Sequence, residues 1–113
     1  MPDEIQTAIE PLPYGPSMHV QTHKLKTWAA YWDAVAAGLK GFEVRRDDRG
    51  FQRGDVLVLQ RFNPETGQYD MDGFSRASSP KEIRRRVAYV LTGGQFGVEA
   101  GYVVMGLEEI RGE

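Results

Sequence analysis

The sequence contains no cysteine, which excludes disulfide frameworks, thiolate catalysis and cysteine-ligated zinc. It also lacks an apolar run of the length that crosses a membrane, and its first residues lack the basic start and apolar stretch of a secretory signal. The absence of cysteine fits a reducing compartment. Together these absences predict a soluble, cytoplasmic protein with no membrane partner.

A large excess of basic charge is also absent, because 14 Lys and Arg stand against 16 Asp and Glu, for a net charge of −2. A protein that binds nucleic acid by bulk charge would be far more basic. Basic charge is instead concentrated locally, at net +2 over residues 40–53 and net +3 over residues 81–86. Any anion binding is therefore expected to be local and geometric.

Proline is scarce beyond the N-terminus, since four of the six prolines fall within the first 16 residues. Residues 1–18 also carry three acidic side chains and no Lys or Arg. Proline fixes φ and removes backbone donors, so these residues are predicted to form an extended acidic arm outside the core. Residues 19–113 are of the length of one domain.

The segment "TWAAYWDAVAAGLK" predicts the main helix, because its aromatic and aliphatic residues recur at helical spacing among alanines. Thr27 is predicted as its N-cap and Gly38 as the glycine that ends it. Aromatic residues on a helix face usually pack into a core. Trp28 and Tyr31 are therefore assigned to packing, and Trp32 is expected to be partly exposed.

Most of the remaining segments predict short strands, including "GFEVRR", where Glu43 and Arg45 share one face. "MHVQTHKLK" precedes the helix, and "GDVLVLQRF" indicates a buried strand with "QYDMDGFS" as its hairpin partner. "EIRRRVAYVLT" and "YVVMGLEEI" follow, joined by the glycine-rich loop "GGQFGVEAG". The expected fold is a small mixed α+β domain with a curled, mostly antiparallel sheet or partial barrel and one main helix beside it.

One short pattern resembles a known family signature. Gly38, Lys40, Glu43 and Arg45 match the G-x-K-x-x-E-x-R signature of ASCH domains, which belong to the PUA-like superfamily. The surrounding frame, from "HKLK" to "VLTGGQFGVEAGYVVMGL", is similar to an uncharacterised bacterial and phage family of ASCH-like domains of unknown function. The resemblance covers roughly residues 19–107.

This resemblance implies a PUA-like β-barrel that binds RNA or nucleotides in a cleft between helix and barrel. A branch of ASCH proteins hydrolyses N4-acetylcytidine and resembles this chain at Lys40. That branch has a catalytic threonine three residues later, where this sequence has Glu43. A carboxylate cannot simply take over the part of a threonine hydroxyl nucleophile, which argues against amidohydrolase activity of that type.

The chemistry of the signature residues suits a ligand cleft. Lys40 is a flexible point charge for a phosphate, and Arg45 offers a planar fork that grips phosphate or stacks on a base. Glu43 would hold Arg45 or accept a hydrogen bond from a base amino group. Gly38 would turn the chain from the helix toward the sheet. The structural alternative is an ion-pair network that fixes this turn.

Five further residues are assigned to the ligand cleft as helpers of the signature residues. They are His23, Trp32, Arg46, Asp48 and Arg49.

Neither a metal nor a cofactor is expected. Arginines interrupt the carboxylates of "DDRGFQRGD", which leaves them without the regular spacing of a chelating loop. His19 and His23 would lie about 13 Å apart on a strand, too far for one ion. Arg84, Arg85 and Arg86 alternate faces, and they indicate either an exposed edge or strand entry protected by charge, or extra contacts to a nucleic-acid backbone.

Three hypotheses for function follow. The first is a module that binds RNA or a nucleotide-like ligand through Lys40, Glu43 and Arg45. The second is a small hydrolase of a modified nucleoside, in which Lys40 and Glu43 would be catalytic. The third is a non-enzymatic bacterial or phage accessory protein that contacts a protein partner, with residues 1–18 as its tether.

Overall fold

The computed structural model describes residues 19–73 and 78–111. The acidic arm predicted over residues 1–18 lies outside the described residues. Among the residues that are described, no helix has the length and apolar character needed to cross a membrane.

Short strands dominate the described residues, and one helix interrupts them early. In chain order the elements are β1 (Thr22–Trp28), α1 (Ala29–Ala36), β2 (Phe42–Arg46), β3 (Val56–Asn63), β4 (Gln68–Tyr69), β5 (Met71–Asp72), β6 (Ser79–Pro80), β7 (Glu82–Thr92) and β8 (Tyr102–Glu108).

One sheet takes the strands in the order β1, β3, β7, β8 and β2, with β4 pairing on β3. β1 and β3 run parallel, because the chain returns through α1 and β2 before β3 begins, and the other pairs are antiparallel. β5 and β6 form a separate two-stranded ribbon. The structure is therefore a small, mostly β domain with one helix, in agreement with the α+β prediction.

The predicted start of the helix is wrong by one residue. β1 continues through Trp28, which occupies the N-cap position without a capping hydrogen bond from its side chain. The hydroxyl of Thr27 donates instead to the carbonyl of Leu25 at 3.1 Å, and the Thr27 side chain is buried. Strand pairing with β3 has overridden a favourable capping residue.

The predicted end of the helix is confirmed. Gly38 has φ +78°, and its N–H donates to the carbonyl of Val35 at 3.0 Å. The N–H of Leu39 donates to the carbonyl of Ala34 at 2.9 Å, which completes a Schellman turn. The chain therefore leaves the helix abruptly, and Lys40 follows at the point where it turns toward β2.

The core lies between α1 and the inner face of the sheet. β3 contributes most to it, as its nearly continuous apolar sequence predicts. Trp32 packs against the core, and its indole N–H donates to the carbonyl of Leu59 at 2.8 Å. The fully or nearly fully buried apolar cluster comprises Leu25, Val35, Phe51, Leu57, Leu59, Val87, Val103 and Met105.

β2 alternates as predicted, but its polar side chains face inward. Glu43 is only 3% exposed, whereas Phe42 and Val44 are both exposed. An amphipathic strand normally turns its apolar side chains toward the core. The reversal places a carboxylate at the inner face of the sheet, where cations are required to stabilise it.

β1 and β2 form the two ends of the sheet, and the sheet curls until they approach each other. Nη1 of Arg45 on β2 donates to the carbonyl of Lys26 on β1 at 3.1 Å. Nη1 of Arg49 donates to the carbonyl of Lys24, also at 3.1 Å. In the described sheet, β1 and β2 are not paired strands. We call the gap between them, bridged by arginine side chains, the seam.

The predicted hairpin after β3 is confirmed in part. Gln68 and Tyr69 return along β3, and the next two strand residues, Met71 and Asp72, pair with β6 instead. Residues 74 and 75, the last two of the predicted partner segment, lie outside the described residues.

The glycine-rich connection between β7 and β8 is a tight, internally bonded loop, as predicted. Gly94 and Val98 are hydrogen-bonded at 2.7 Å, and the turn between them has positive φ at Phe96 (54°) and Gly97 (78°). The ring of Phe96 is 83% exposed at the tip. A Cβ at Gly93 would lie 2.1 Å from the carbonyl oxygen of Glu99, so this position requires glycine.

Candidate functional site

A cleft of about 530 Å³ opens along the seam. β1 contributes Lys26, Thr27 and Trp28, and α1 contributes Tyr31. The opposite side consists of Lys40 and the four β2 residues from Phe42 to Arg45. The cleft therefore lies between the two end strands of the sheet, close to both ends of the helix.

The structure brings the three predicted signature residues together in this cleft. Nζ of Lys40 donates to Oε1 of Glu43 at 2.6 Å, and Nε of Arg45 donates to Oε2 at 2.9 Å. Each oxygen of the buried carboxylate thus has its own cation. The three side chains together carry one net positive charge, to which the exposed Lys26 adds another.

Lys40 retains hydrogen-bonding capacity toward the cleft. An ammonium group has three donors, and Lys40 uses two of them, one on Glu43 and one on the carbonyl of Phe42, both at 2.6 Å. One donor remains. Lys40 also lies 5.8 Å from the ring centroid of Tyr31 and 4.8 Å from that of Phe42, within cation–π range of both.

Arg45 makes more hydrogen bonds within the protein than its sequence pattern indicates. Besides Glu43 and the Lys26 carbonyl, it donates from Nη2 to the hydroxyl oxygen of Thr27 at 3.1 Å. All three guanidinium nitrogens are therefore engaged within the protein. A two-pronged grip on a phosphate would require some of these bonds to be exchanged, so Arg45 primarily shapes the cleft and joins its walls.

The aromatic side chains at the cleft reverse the sequence-based expectation. Trp28 and Tyr31, assigned to packing, are each 52% exposed and stack on each other with 6.3 Å between centroids and an interplanar angle of 11°. Trp32 is half-buried, as expected, but it packs against the core and lies outside the cleft lining, so the expectation that it helps bind ligand is not met. The cleft therefore presents a flat aromatic pair beside its cations.

His23 is placed away from the cleft, at the opposite end of β1. Its Nε2 lies 2.9 Å from Oδ2 of Asp55, and its ring packs edge-on against Phe51 at 4.8 Å between centroids. Asp55 is 1% exposed and also accepts hydrogen bonds from the backbone N–H groups of Gln21 and Gln52, at 3.1 and 3.0 Å. This cluster closes the turn that precedes β3.

The other predicted helpers are exposed and lie beyond the cleft lining. Arg46 stacks over Tyr102, with its guanidinium carbon 5.2 Å from the ring centroid. Asp48 and Arg49 form a loose exposed ion pair at 3.9 Å, and Arg49 bridges the seam to β1. Of the eight predicted ligand-binding residues, the cleft collects Lys40, Glu43 and Arg45.

Sequence reasoning missed the residues that β1 contributes. Lys26 and Thr27 lie 18 to 19 positions before Arg45, and they meet it because the sheet curls. No local pattern signals such a contact. A signal did exist for Trp28 and Tyr31, whose spacing of three places them side by side on a helical surface.

The basic run lies near the start of β7, as the strand-entry interpretation expects, and not at a sheet edge. β7 is the central strand, between β3 and β8. Arg84 and Arg85 line a second concavity of about 420 Å³ together with Glu82 and Glu109. Within the described residues, no group of three or more His, Asp or Glu side chains is arranged to hold a metal ion.

An exposed ion pair ties the helix wall of the cleft to β3. Nη2 of Arg61 donates to Oδ2 of Asp33 at 2.7 Å, and Nε donates to Oδ1 at 2.9 Å. Arg61 also pairs with Asp70. The hydrogen bonds from Arg61 hold the pKa of Asp33 below its usual value, and Asp33 in turn raises the pKa of Arg61. The bidentate contact fixes α1 beside the sheet.

Comparison with known proteins identifies two similarities. A family described as "Domain of unknown function (DUF3850)" matches residues 22–107, from the first residue of β1 almost to the end of β8. An uncharacterized 12.9 kDa protein in the GpA 3′ region of Escherichia phage P2 is 40% identical to this chain over 45 residues. That alignment covers 40% of this chain and 41% of the phage protein.

Proposed function

The chain belongs to the DUF3850 family, whose description names no activity, and we propose from its geometry that it binds a nucleotide, free or within RNA, in the seam cleft. We further propose that its curled sheet is a PUA-like barrel of the ASCH type. The open seam and the helix beside it support that assignment, since the resemblance implies a cleft between helix and barrel.

One observation carries the proposal: an exposed aromatic pair and a cluster of cations share the same cleft. Trp28 and Tyr31 present flat apolar surface, which in a monomeric protein is usually buried unless it binds something. Aromatic side chains of this kind stack on bases regardless of base identity. Lys40 and Lys26 supply positive charge for a phosphate within the same cleft.

The balance of charge favours an anionic ligand over a neutral nucleoside. Glu43 is the one acidic side chain of the cleft lining, and both of its oxygens are paired. Lys40 retains a donor, and Lys26 is exposed. The unused hydrogen-bonding capacity of the cleft therefore lies mainly on cations, as a phosphate requires.

The geometry favours binding without catalysis. The hydroxyl of Thr27 donates to a backbone carbonyl and accepts from Arg45, so it has no base positioned to activate it as a nucleophile. Glu43 is held between two cations that each donate to one of its oxygens, so accepting a proton from a ligand would require one of these hydrogen bonds to be exchanged. Hydrolysis of a modified nucleoside remains the second hypothesis from the sequence.

A titration followed by NMR chemical shifts tests the proposal. AMP, CMP, cytidine and N4-acetylcytidine are added separately at low salt to the full chain. We expect saturable shifts for the two nucleotides that involve Trp28, Tyr31 and Lys40, and weaker shifts for the nucleosides, which lack phosphate. New product resonances would support the hydrolase hypothesis, and an absence of shifts with every ligand would overturn the proposal.

Matched variants make the same titration specific to the cleft. Lys40→Met keeps the aliphatic stem and should weaken AMP binding about tenfold, whereas Lys24→Met, an equal loss of charge outside the cleft, should change it little. Trp28→Ala should weaken binding about fivefold or more by removing a stacking surface. Equal effects of Lys40→Met and Lys24→Met would mark binding by general charge and contradict the cleft.

A further inference from the structure

The outer face of β7, β8 and β2 carries two aromatic residues in register with a glycine that lies between them. Phe42 on β2 pairs with Gly106 on β8, and Gly106 pairs with Tyr89 on β7. Tyr89 is 64% exposed, and Phe42 is also exposed. The three residues therefore form a line across three neighbouring strands, with a ring at each end and a glycine between them.

The rest of this face is also unlike an ordinary solvated surface. The outward side of an antiparallel sheet is usually polar. Here the outward positions of β2, of β8 up to Gly106 and of β7 from Tyr89 onward include no acidic residue and one basic residue, Arg46. The eight positions are Phe42, Val44, Arg46, Tyr89, Leu91, Tyr102, Val104 and Gly106.

Gly106 leaves a slot between the two rings. The Cα atoms of Phe42 and Tyr89 stand two strand spacings apart, about 10 Å, so a base can lie over Gly106 between these two positions. A Cβ at position 106 would already lie 3.8 Å from the Cβ of Tyr89, so any longer side chain would occupy this slot. The floor of the slot is the flat backbone of β8.

Cations accompany the exposed rings along this face. Nζ of Lys40 lies 4.8 Å from the ring centroid of Phe42, and Arg46 stacks over Tyr102. Interleaved aromatic and basic side chains without carboxylates complement a nucleic acid, which presents bases and phosphates in alternation. An apolar protein partner would not require cations beside the rings.

The face is continuous with the cleft, because Phe42 and Val44 belong to both. We propose that the ligand of this protein is a single-stranded nucleic acid of at least two to three nucleotides. One base occupies the cleft beside Trp28 and Tyr31, and the next stacks over Phe42, Gly106 and Tyr89 on the sheet. This inference rests on the proposed function of the cleft, and it names the class of ligand.

A length series with a matched pair of variants tests the inference. AMP and the oligoadenylates A2, A3 and A6 are titrated calorimetrically into the wild-type chain and into Tyr89→Ser, Tyr89→Phe and Phe96→Ser at one low salt concentration. Phe96 is the control, because it is an exposed aromatic residue in the loop between β7 and β8, away from the row of Phe42, Gly106 and Tyr89.

We expect wild-type affinity to rise about fivefold or more between AMP and A3, the gain from at least one additional stacked base. Tyr89→Ser should lower A3 affinity by about five- to thirtyfold and leave AMP affinity unchanged, since Tyr89 is outside the cleft lining. Tyr89→Phe and Phe96→Ser should bind A3 like the wild type.

The outcomes separate this inference from the proposed function. If AMP and A3 bind equally well and Tyr89→Ser binds both normally, the second base position is overturned and the cleft stands. If neither ligand binds, both proposals are overturned. An equal loss of A3 affinity in Tyr89→Ser and Phe96→Ser would indicate a general surface effect and overturn the second base position. Dissociation of a wild-type dimer by Tyr89→Ser in sedimentation would identify the face as a contact between two copies, which also overturns it.

Discussion

The two ends of β1 each lie beside a buried carboxylate, and the two carboxylates are stabilised in different ways. Near the start of the strand, Asp55 accepts from two backbone N–H groups and meets His23, which is itself buried. Near its end, Glu43 accepts from Lys40 and Arg45, two side chains that are each partly exposed in a cleft.

This difference separates a carboxylate that fixes the chain from one that maintains a binding site. Backbone donors cannot leave Asp55 without breaking the turn before β3. Side-chain cations can shift toward a ligand anion while still facing Glu43, because both have flexible stems. Burial of a carboxylate alone therefore does not distinguish structure from function, whereas the nature and exposure of its donors do.

The largest expected effect comes from Asp55→Ala. The substitution leaves two backbone N–H groups and His23 without their acceptor, so the free energy of unfolding should fall by about 3–5 kcal/mol. Urea denaturation followed by circular dichroism measures it. A loss of unfolding free energy below about 1 kcal/mol would contradict the distinction between the two carboxylates. It would mean that water can satisfy the donors that Asp55 accepts from.

Glu43→Gln should have a smaller effect on stability and a distinctive response to anions. One oxygen remains to accept a hydrogen bond, so the loss of unfolding free energy should be about 1–3 kcal/mol. Without the carboxylate, Lys40 and Arg45 lack a counter-ion, and AMP should raise the melting temperature of this variant more than that of the wild type.

Asp55→Asn is the control for the AMP experiment, since Asp55 contacts two backbone N–H groups and His23 and lies outside the cleft lining. AMP should stabilise Asp55→Asn no more than it stabilises the wild type. Equal stabilisation of all three proteins by AMP would contradict the distinction between the two carboxylates.

The smallest expected effect concerns the exposed ion pair between Arg61 and Asp33, which fixes α1 beside the sheet. Because Arg61 lowers the pKa of Asp33 in the folded state, this pair stabilises the fold above the unfolded pKa of about 4. That contribution is lost as pH falls through the lowered folded pKa. Asp33→Asn should therefore differ from the wild type in denaturation midpoint at pH 7, and this difference should shrink as the pH is lowered below about 4.

Asp72→Asn, at an exposed aspartate on β5, is the matched control and should show no such convergence. A difference between Asp33→Asn and the wild type that persists unchanged at acidic pH would show that the ion pair is not its source. Because both partners are solvent-accessible, added salt should also reduce the difference at pH 7.

Local patterns in the sequence predicted most strands, the end of the helix and the convergence of Lys40, Glu43 and Arg45. These three residues lie in one stretch of six positions that forms a tight turn and the beginning of a strand, so their proximity is a local property. The alternation of β2 also predicted that Glu43 and Arg45 share a face. Period-two alternation does not say which face is inside, and here the curl of the sheet decides it.

Contacts across the seam could not be predicted from local patterns, because they too depend on how the sheet curls. Lys26 and Thr27 meet Arg45 only after the whole sheet has assembled, because β1 and β2 are its opposite ends. The spacing of Trp28 and Trp32 places both near one stripe of the helix. Which of them faces the sheet depends on the angle at which β1 delivers the chain into α1, and helical periodicity contains no such information.

The arginine bridges across the seam also bear on how this protein behaves in a crowded solution. A strand at the end of a sheet exposes unpaired carbonyls that can template pairing with another chain. The carbonyls of Lys24 and Lys26 are already occupied by Arg49 and Arg45, and lysine side chains stand beside them. The arginine side chains that bridge the seam thus also protect β1 against edge-to-edge aggregation.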